Sequence, residues 1–338
     1  PNNCTIGMVK HVSALASARQ NGQYKKPEAT AMADIVITEM MDADAVEWLR
    51  QRFSVHYDPM LVNGQEEIPG LLQDARALIV RDRTWVSADF ISMVSHLECI
   101  GRIGVVFDNI DVNACEASDI ALVRADGANN RSVAEYVLTT AMILMRGAYS
   151  STEQVRSGMW PRNDCIGREI AGKTIGLLGY GEIGRSVARL AGLFGLTVLA
   201  EDPFVPDDDP AWQFAQRTSM DDLLQRSDIV SVHAPHYERT HHMVSAEALG
   251  RMKHDAVLIS ATRGGVVDEF ALAAAMRAGH LTGAAIDVFE QEPVPGLTGE
   301  RFKGLPNLML TPRIAGHTVE SAKRLSMLIA ERVASRLS

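Results

Sequence analysis

The 338-residue chain is 46% hydrophobic and carries a formal net charge of −9. That is enough apolar material for two cores of ordinary size, and an acidic balance that argues against nucleic acid or membrane as partners. Four cysteines, Cys4, Cys99, Cys115 and Cys165, show neither metal-ligand nor disulfide-framework spacing, which suits a reducing, cytoplasmic setting. The most apolar stretch, 133–145, is shorter than the roughly 20 residues a bilayer requires and contains Glu135, so it reads as a buried helix.

Residues 1–31 stand apart. They hold five basic residues counting His11, no acid before Glu28, and no apolar core of the secretory type. They are expected to form a disordered N-terminal extension, or a leader upstream of a start at Met32, with a weak organelle-targeting peptide as the alternative. From Ala33 onward apolar β-type runs alternate with helical patterns about every twenty residues, predicting strands at 35–38, 54–57, 77–80, 98–101 and 120–123. A long apolar helix, 131–146, then leads to a second unit with strands beginning at Thr174, Thr197, Ile229, Val257, Ala284 and Leu308. The last helix carries Leu325, Leu328, Ile329 and Val333 on one face and is expected to pack back onto the first unit.

Within the second unit, residues 173–202 hold the most informative pattern. An apolar strand, Ile175–Leu178, runs into Gly179-x-Gly181-x-x-Gly184, followed by Ile183, Val187 and Leu190 at helical spacing. The first glycine permits a tight turn, the second a close approach of pyrophosphate, and the third close packing of helix on strand. A further strand ends at Asp202, where an acidic residue can hydrogen-bond a ribose 2′-hydroxyl and repel a 2′-phosphate. The cofactor expected is therefore NAD rather than NADP.

Further motifs are linked to this fingerprint: residues 101–111 (GRIGVVFDNID), 127–135 (GANNRSVAE), His233-Ala234-Pro235 with Thr240, 260–269 (SATRGGVVDE), 287–293 (DVFEQEP) and 311–316 (TPRIAG). With them the chain resembles the D-isomer-specific 2-hydroxyacid dehydrogenases, and the D-3-phosphoglycerate dehydrogenase type in particular, over nearly all of residues 32–338. The resemblance implies an α/β fold in which a Rossmann NAD-binding domain, 130–312, is inserted in a smaller flavodoxin-like doubly wound substrate domain, 32–129 plus 313–338. It implies hydride transfer between nicotinamide and C2 of a small anionic 2-hydroxy or 2-keto acid held in a cleft between the domains, no metal, and a homodimer built from the crossover region. Tyr180, Glu182 and Ile183 of the fingerprint, with His233, Ala234, Pro235, Thr240, Ala261, Thr262 and Asp287, are the implied further cofactor contacts. Ile103, Gly104 and Val105, together with Arg81 and Asn129, are the implied substrate contacts. Val106 stands where the family usually has glycine.

Reducing a ketone by hydride needs an anchored carboxylate, a polarised carbonyl and a proton donor. The fork of Arg263, between an apolar strand and Gly264-Gly265, suits the first two tasks. Glu292 lies 29 residues later, as the resemblance requires, but the family's catalytic histidine is replaced by Arg313. A guanidinium does not release a proton near neutrality, so Arg313 is read as an anion clamp or carbonyl polariser, and His317 as the candidate acid. Arg81, Arg83, Arg102 and Arg313 suggest a second anionic group on the substrate, as in 3-phosphoglycerate or sulfolactate; hydroxypyruvate and glyoxylate stay open. Two alternatives remain: a catalytically impaired NAD(H)-binding sensor of corepressor type, supported by the absent histidine, and a formate- or phosphite-type dehydrogenase.

Overall fold

The computed structural model describes residues 32–147 and 151–338, without the side chains of 297 and 298. The expected extension 1–31 lies outside the described residues. The chain forms two units: one of residues up to Asn129 together with Thr318–Ser338, the other of Asn130–His317, which interrupts the first in sequence.

The first unit is a five-stranded parallel sheet in the order β2-β1-β3-β4-β5, with β1 Ile35–Ile37, β2 Val55–Tyr57, β3 Ala77–Val80, β4 Cys99–Arg102 and β5 Ala121–Arg124. This is the flavodoxin-like order. Alternate residues feed two cores, as the two-residue period of a strand requires: Ile35, Ile37, Ala77 and Ile79 on one face, Val36, Leu78, Val80 and Ile100 on the other. Helix Val319–Leu337, capped by the Thr318 hydroxyl accepting from Ser321 N at 3.1 Å, closes the first of these faces. It lies so close to β4 that a Cβ on Gly101 would sit 2.7 Å from Val333 Cγ2. The expected return of the last helix onto this unit is what the structure has.

The second unit is a seven-stranded parallel sheet ordered β12-β11-β10-β9-β6-β7-β8. Its strands are β6 Thr174–Leu178, β7 Thr197–Glu201, β8 Gln216–Arg217, β9 Ile229–Val232, β10 Val257–Ser260, β11 Gly283–Ile286 and β12 Leu308–Leu310. The order reverses between β6 and β9, the place where open α/β sheets bind ligands beyond their carboxyl ends. The two-residue β8 escaped the sequence reading because an exposed edge strand has no apolar pattern to reveal it. Helix Asn130–Arg146 buries Val133, Ala134, Val137, Leu138, Ala141, Leu144 and Met145 within this unit, so its apolar excess is satisfied internally. Residues 313–317, assigned from sequence to the substrate domain, fall instead with the nucleotide unit. The cause is Asp287, whose backbone oxygen and carboxylate accept from Arg313 N, Ile314 N and Ala315 N, each at 2.8 Å.

Candidate active site

The glycine fingerprint has the geometry its spacing predicts. Gly179 turns the chain at φ +97°, a region side chains rarely enter, and a Cβ there would lie 2.7 Å from Ala234 N. A Cβ on Gly184 would lie 2.6 Å from the Gly179 carbonyl oxygen, whereas one on Gly181 would meet open space. That space lies at the start of helix Glu182–Leu193, whose N-cap, Gly181, offers no side-chain hydrogen bond. Its first N–H groups are thus left for an anion. An NAD pyrophosphate fits this combination of clearance and unspent donors.

Around the cradle, the Asp202 carboxylate is held by two amides: Tyr180 N donates to Oδ2 at 2.8 Å and Phe204 N to Oδ1 at 2.9 Å. The Tyr180 side chain is fully buried, donates to Ala211 O at 2.7 Å and stacks on Trp212 at 4.7 Å, so only its backbone faces the cradle. Glu182 accepts from Asn130 Nδ2 at 2.9 Å, and Ile183 packs on the core. His233 lies 2.9 Å from Ser231 Oγ through Nε2, while its buried Nδ1 has no partner. Burial pushes this imidazole down to about 4, so the ring is neutral and keeps an unpaired polar atom for a ligand. The Thr240 hydroxyl donates to Pro235 O at 2.6 Å and accepts from Tyr237 N at 2.9 Å, fixing the 235–240 loop. Ala261 is buried at the end of β10, and Thr262 Oγ1 donates to Val232 O at 3.1 Å, tying the ends of β10 and β9.

The chemical groups gather beyond β10, β11 and β12. Arg263 Nη1 donates to Thr262 O at 2.7 Å. The next residue must be glycine, because a Cβ on Gly264 would overlap the Phe289 carbonyl oxygen; the Arg263 loop is thereby pressed against the segment that carries Glu292. Glu292 accepts from Phe289 N at 3.0 Å and from Arg313 Nη1 at 2.7 Å. Arg313 itself takes φ +57°, held by its N–H to Asp287 O. His317 is exposed, and its N–H donates to Ile314 O at 2.8 Å.

Asp287 also builds the loop after β12. It is 1% exposed, and beyond the two amides it accepts from Thr311 Oγ1 at 2.6 Å, the same hydroxyl that pairs with Tyr136 Oη at 2.6 Å. Burial raises its pKa while these hydrogen bonds oppose the rise. A carboxylate so engaged shapes the 311–315 loop, and its Oδ2, which accepts from Ala315 N alone of these donors, keeps acceptor capacity. Sequence reading also passed over Glu269, 2% exposed, whose Oε1 accepts from Glu290 N at 2.7 Å and whose Oε2 pairs with Arg301 at 3.0 Å. It stands directly after the Asp268 cap, in the helix first turn where an acid is common, so nothing in the sequence singles it out.

The expected substrate contacts lie in the first unit. Arg102 is in register with Val80, the residue before Arg81, so both arginines stand at the carboxyl ends of adjacent strands. Ile103 N donates to Val80 O at 2.8 Å, and Gly104 O accepts from Ala125 N at 2.7 Å. Ile103 is buried, leaving its backbone and that of Gly104 and Val105 to line the turn; Val106 fits with φ outside the positive range. Asn129 has a buried Oδ1 with no partner. Among the described residues, no group of histidines, cysteines and carboxylates is arranged to hold a metal.

Comparison with known proteins identifies the family. Residues 138–315 match the family described as D-isomer specific 2-hydroxyacid dehydrogenase, NAD binding domain. The (S)-sulfolactate dehydrogenase of Chromohalobacter salexigens is 47% identical over 304 residues, covering 89% of this chain and 97% of that protein. The D-3-phosphoglycerate dehydrogenase of Archaeoglobus fulgidus is 33% identical over 88% of this chain, which spans only 56% of that relative. In fold, the chain matches a D-lactate dehydrogenase from Aquifex aeolicus complexed with NAD and lactic acid, at a TM-score of 0.73 and 26% identity over 90% of this chain and 94% of that one. The chain belongs to the D-isomer-specific 2-hydroxyacid dehydrogenase family and is an NAD-dependent oxidoreductase.

Proposed function

We propose that the substrate is a 2-hydroxy acid with a strong second anion on C3, sulfolactate being the best fit, interconverted with 3-sulfopyruvate. The observation that carries this reading is the grouping of Arg81, Arg83 and Arg102 at and just beyond the carboxyl ends of β3 and β4, three guanidiniums beside the two carboxylates of Glu39 and Asp82. The near-full-length likeness to an (S)-sulfolactate dehydrogenase supports it. The (S) label is compatible with a D-specific family. Sulfur outranks oxygen in the priority rules, so the sulfomethyl group ranks above the carboxylate, and (S)-sulfolactate has the same spatial arrangement as D-lactate.

The balanced reaction is 2-hydroxy acid plus NAD+ to 2-keto acid, NADH and a proton. When bound in the Gly179–Gly184 cradle, NAD supplies the hydride acceptor for C2. Arg263 grips the carboxylate and the reacting oxygen together. Arg313, locked by Glu292, cannot exchange a proton and serves as a fixed positive charge toward substrate. His317 carries the proton to and from the C2 oxygen. Asp202, anchored on both oxygens, selects NAD over NADP. The exposed apolar residues Val155, Met159, Trp160 and Ile166, the last two 78% and 85% exposed, support a homodimer. The unpaired thiols of Cys99, Cys115 and Cys165 fit a reducing cytoplasm. Initial rates of NADH oxidation with keto acids that differ only at C3 test the substrate reading; NADH binding without turnover on any of them would favour a sensor.

A further inference from the structure

We propose that Glu39 and Gln65 are positioning residues that build the anion-recognition loop of the substrate site and thereby set specificity for the group on C3. This inference rests on the reading of Arg81 and Arg83 as substrate contacts. Glu39 follows β1 and is 4% exposed, an unusual place for a carboxylate. Its partners are four consecutive backbone amides of the loop after β3. Arg81 N donates to Oε1 at 2.9 Å, Asp82 N to Oε2 at 3.4 Å, Arg83 N to both oxygens at 3.2 and 3.1 Å, and Thr84 N to Oε1 at 2.8 Å. The outer side of the loop is braced by Gln65, whose Nε2 donates to Arg83 O at 2.9 Å and whose Oε1 accepts from Trp85 N at 3.0 Å. Asn63 Oδ1 accepts from Arg83 Nη2 at 2.9 Å.

Successive amides converging in this way form a concave nest of the type that binds anions. Here the nest is filled from the protein side by Glu39, so its donors are spent. A sulfonate or phosphate on the substrate must therefore be met by the side chains that the filled nest displays, Arg81 and Arg83. Glu39 contributes geometry rather than attraction, since its charge has the same sign as the ligand's. An amide at position 39 has one acceptor oxygen and turns an NH2 toward N–H donors, and an aspartate is one methylene short. Both substitutions loosen the loop without touching the reacting atoms.

The test uses the full-length enzyme with NADH and two substrates, 3-sulfopyruvate and glyoxylate, the second having no C3 group. Glu39→Gln and Glu39→Asp are expected to raise KM for 3-sulfopyruvate about tenfold or more, with kcat and the glyoxylate KM within about threefold of the parent. NADH affinity, read by fluorescence titration, is expected to be unchanged. A purely structural part for Glu39 predicts equal KM changes for both substrates, and that result would overturn the proposal. Should the Glu39 variants fail to fold, Gln65→Ala, on the exposed side, decides: its ratio of the two KM values is expected to shift about threefold in the same direction, and an unchanged ratio counts against the proposal. Arg81→Ala separates the two layers of inference. If it leaves the KM ratio unchanged, the substrate reading fails; if it shifts the ratio while Glu39→Gln and Gln65→Ala do not, the positioning proposal fails alone.

Discussion

Cofactor selection follows from how Asp202 is held. Both carboxylate oxygens are fixed by backbone amides, at 2.8 and 2.9 Å, so the group cannot swing away from an approaching 2′-phosphate. For a phosphate about 5 Å away in a half-exposed site of effective dielectric about 40, each unit charge costs about 1.7 kcal/mol. A phosphate carrying roughly −1.5 to −2 charges raises this to about 3 kcal/mol, a factor on the order of 100 in kcat/KM for NADH over NADPH. Asp202→Asn keeps the size and one acceptor while removing the charge, so the preference is expected to fall to about tenfold or less. The assay is initial-rate kinetics with each reduced cofactor at saturating keto acid, with Asn and parent compared at the same ionic strength. Equal efficiencies in the parent, or a ratio unmoved by the Asn substitution, would refute the electrostatic argument.

Arg313 and His317 are tested together. His317→Ala is expected to slow keto-acid reduction at least about tenfold with NADH affinity unchanged, and Arg313→His to raise KM for the C3-anionic substrate; normal turnover in the first and a gain of turnover in the second would mark Arg313 as a lesion instead. His233 predicts a pH dependence of stability. Its folded value, about 4, lies below the ordinary 6.5, so the unfolded chain binds the extra proton between these limits; stability from the neutral ring is present above about 6.5 and is lost as pH falls toward 4, by at most about 3 kcal/mol. Thermal melts across that window should show a shallower acid limb in His233→Gln, and coincident limbs would contradict this. Light scattering at micromolar concentration should give twice the chain mass, and Trp160→Glu should shift it toward the monomer; a monomeric parent would remove the dimer.

Much of the fold was legible because parallel strands buried on both faces leave short, unbroken apolar runs, and both ends of β1 and β3 and the starts of β6, β9 and β12 fall within one residue of where those runs place them. The glycines of the cradle were legible for a related reason: Gly179 and Gly184 are demanded by backbone approaches within a few residues of a strand end, and Gly181 keeps the space before the helix clear. What escaped was the direction of particular side chains. Tyr180 and Asp287 stand at cofactor-motif positions, yet one ring is buried on Trp212 and one carboxylate holds its own loop, and sequence does not reveal that an aspartate accepts from amides 27 and 28 residues on. Glu39 was invisible for the same reason, since its amide partners lie 42 to 45 residues away. The pairing of Glu292 with Arg313 was open to inference from motif spacing, but the bond that holds Arg313 at positive φ was not.

Recognition of an anion on C3 is what separates the proposed substrate from a simple 2-hydroxy acid. Its most direct measurement is kcat/KM for NADH-dependent reduction of 3-sulfopyruvate beside pyruvate, which differs from it only by the C3 sulfonate. The expected preference for 3-sulfopyruvate is about 100-fold or more, consistent with about 3 kcal/mol from two guanidinium contacts. Equal efficiency on the two acids, or faster reduction of pyruvate, would contradict it.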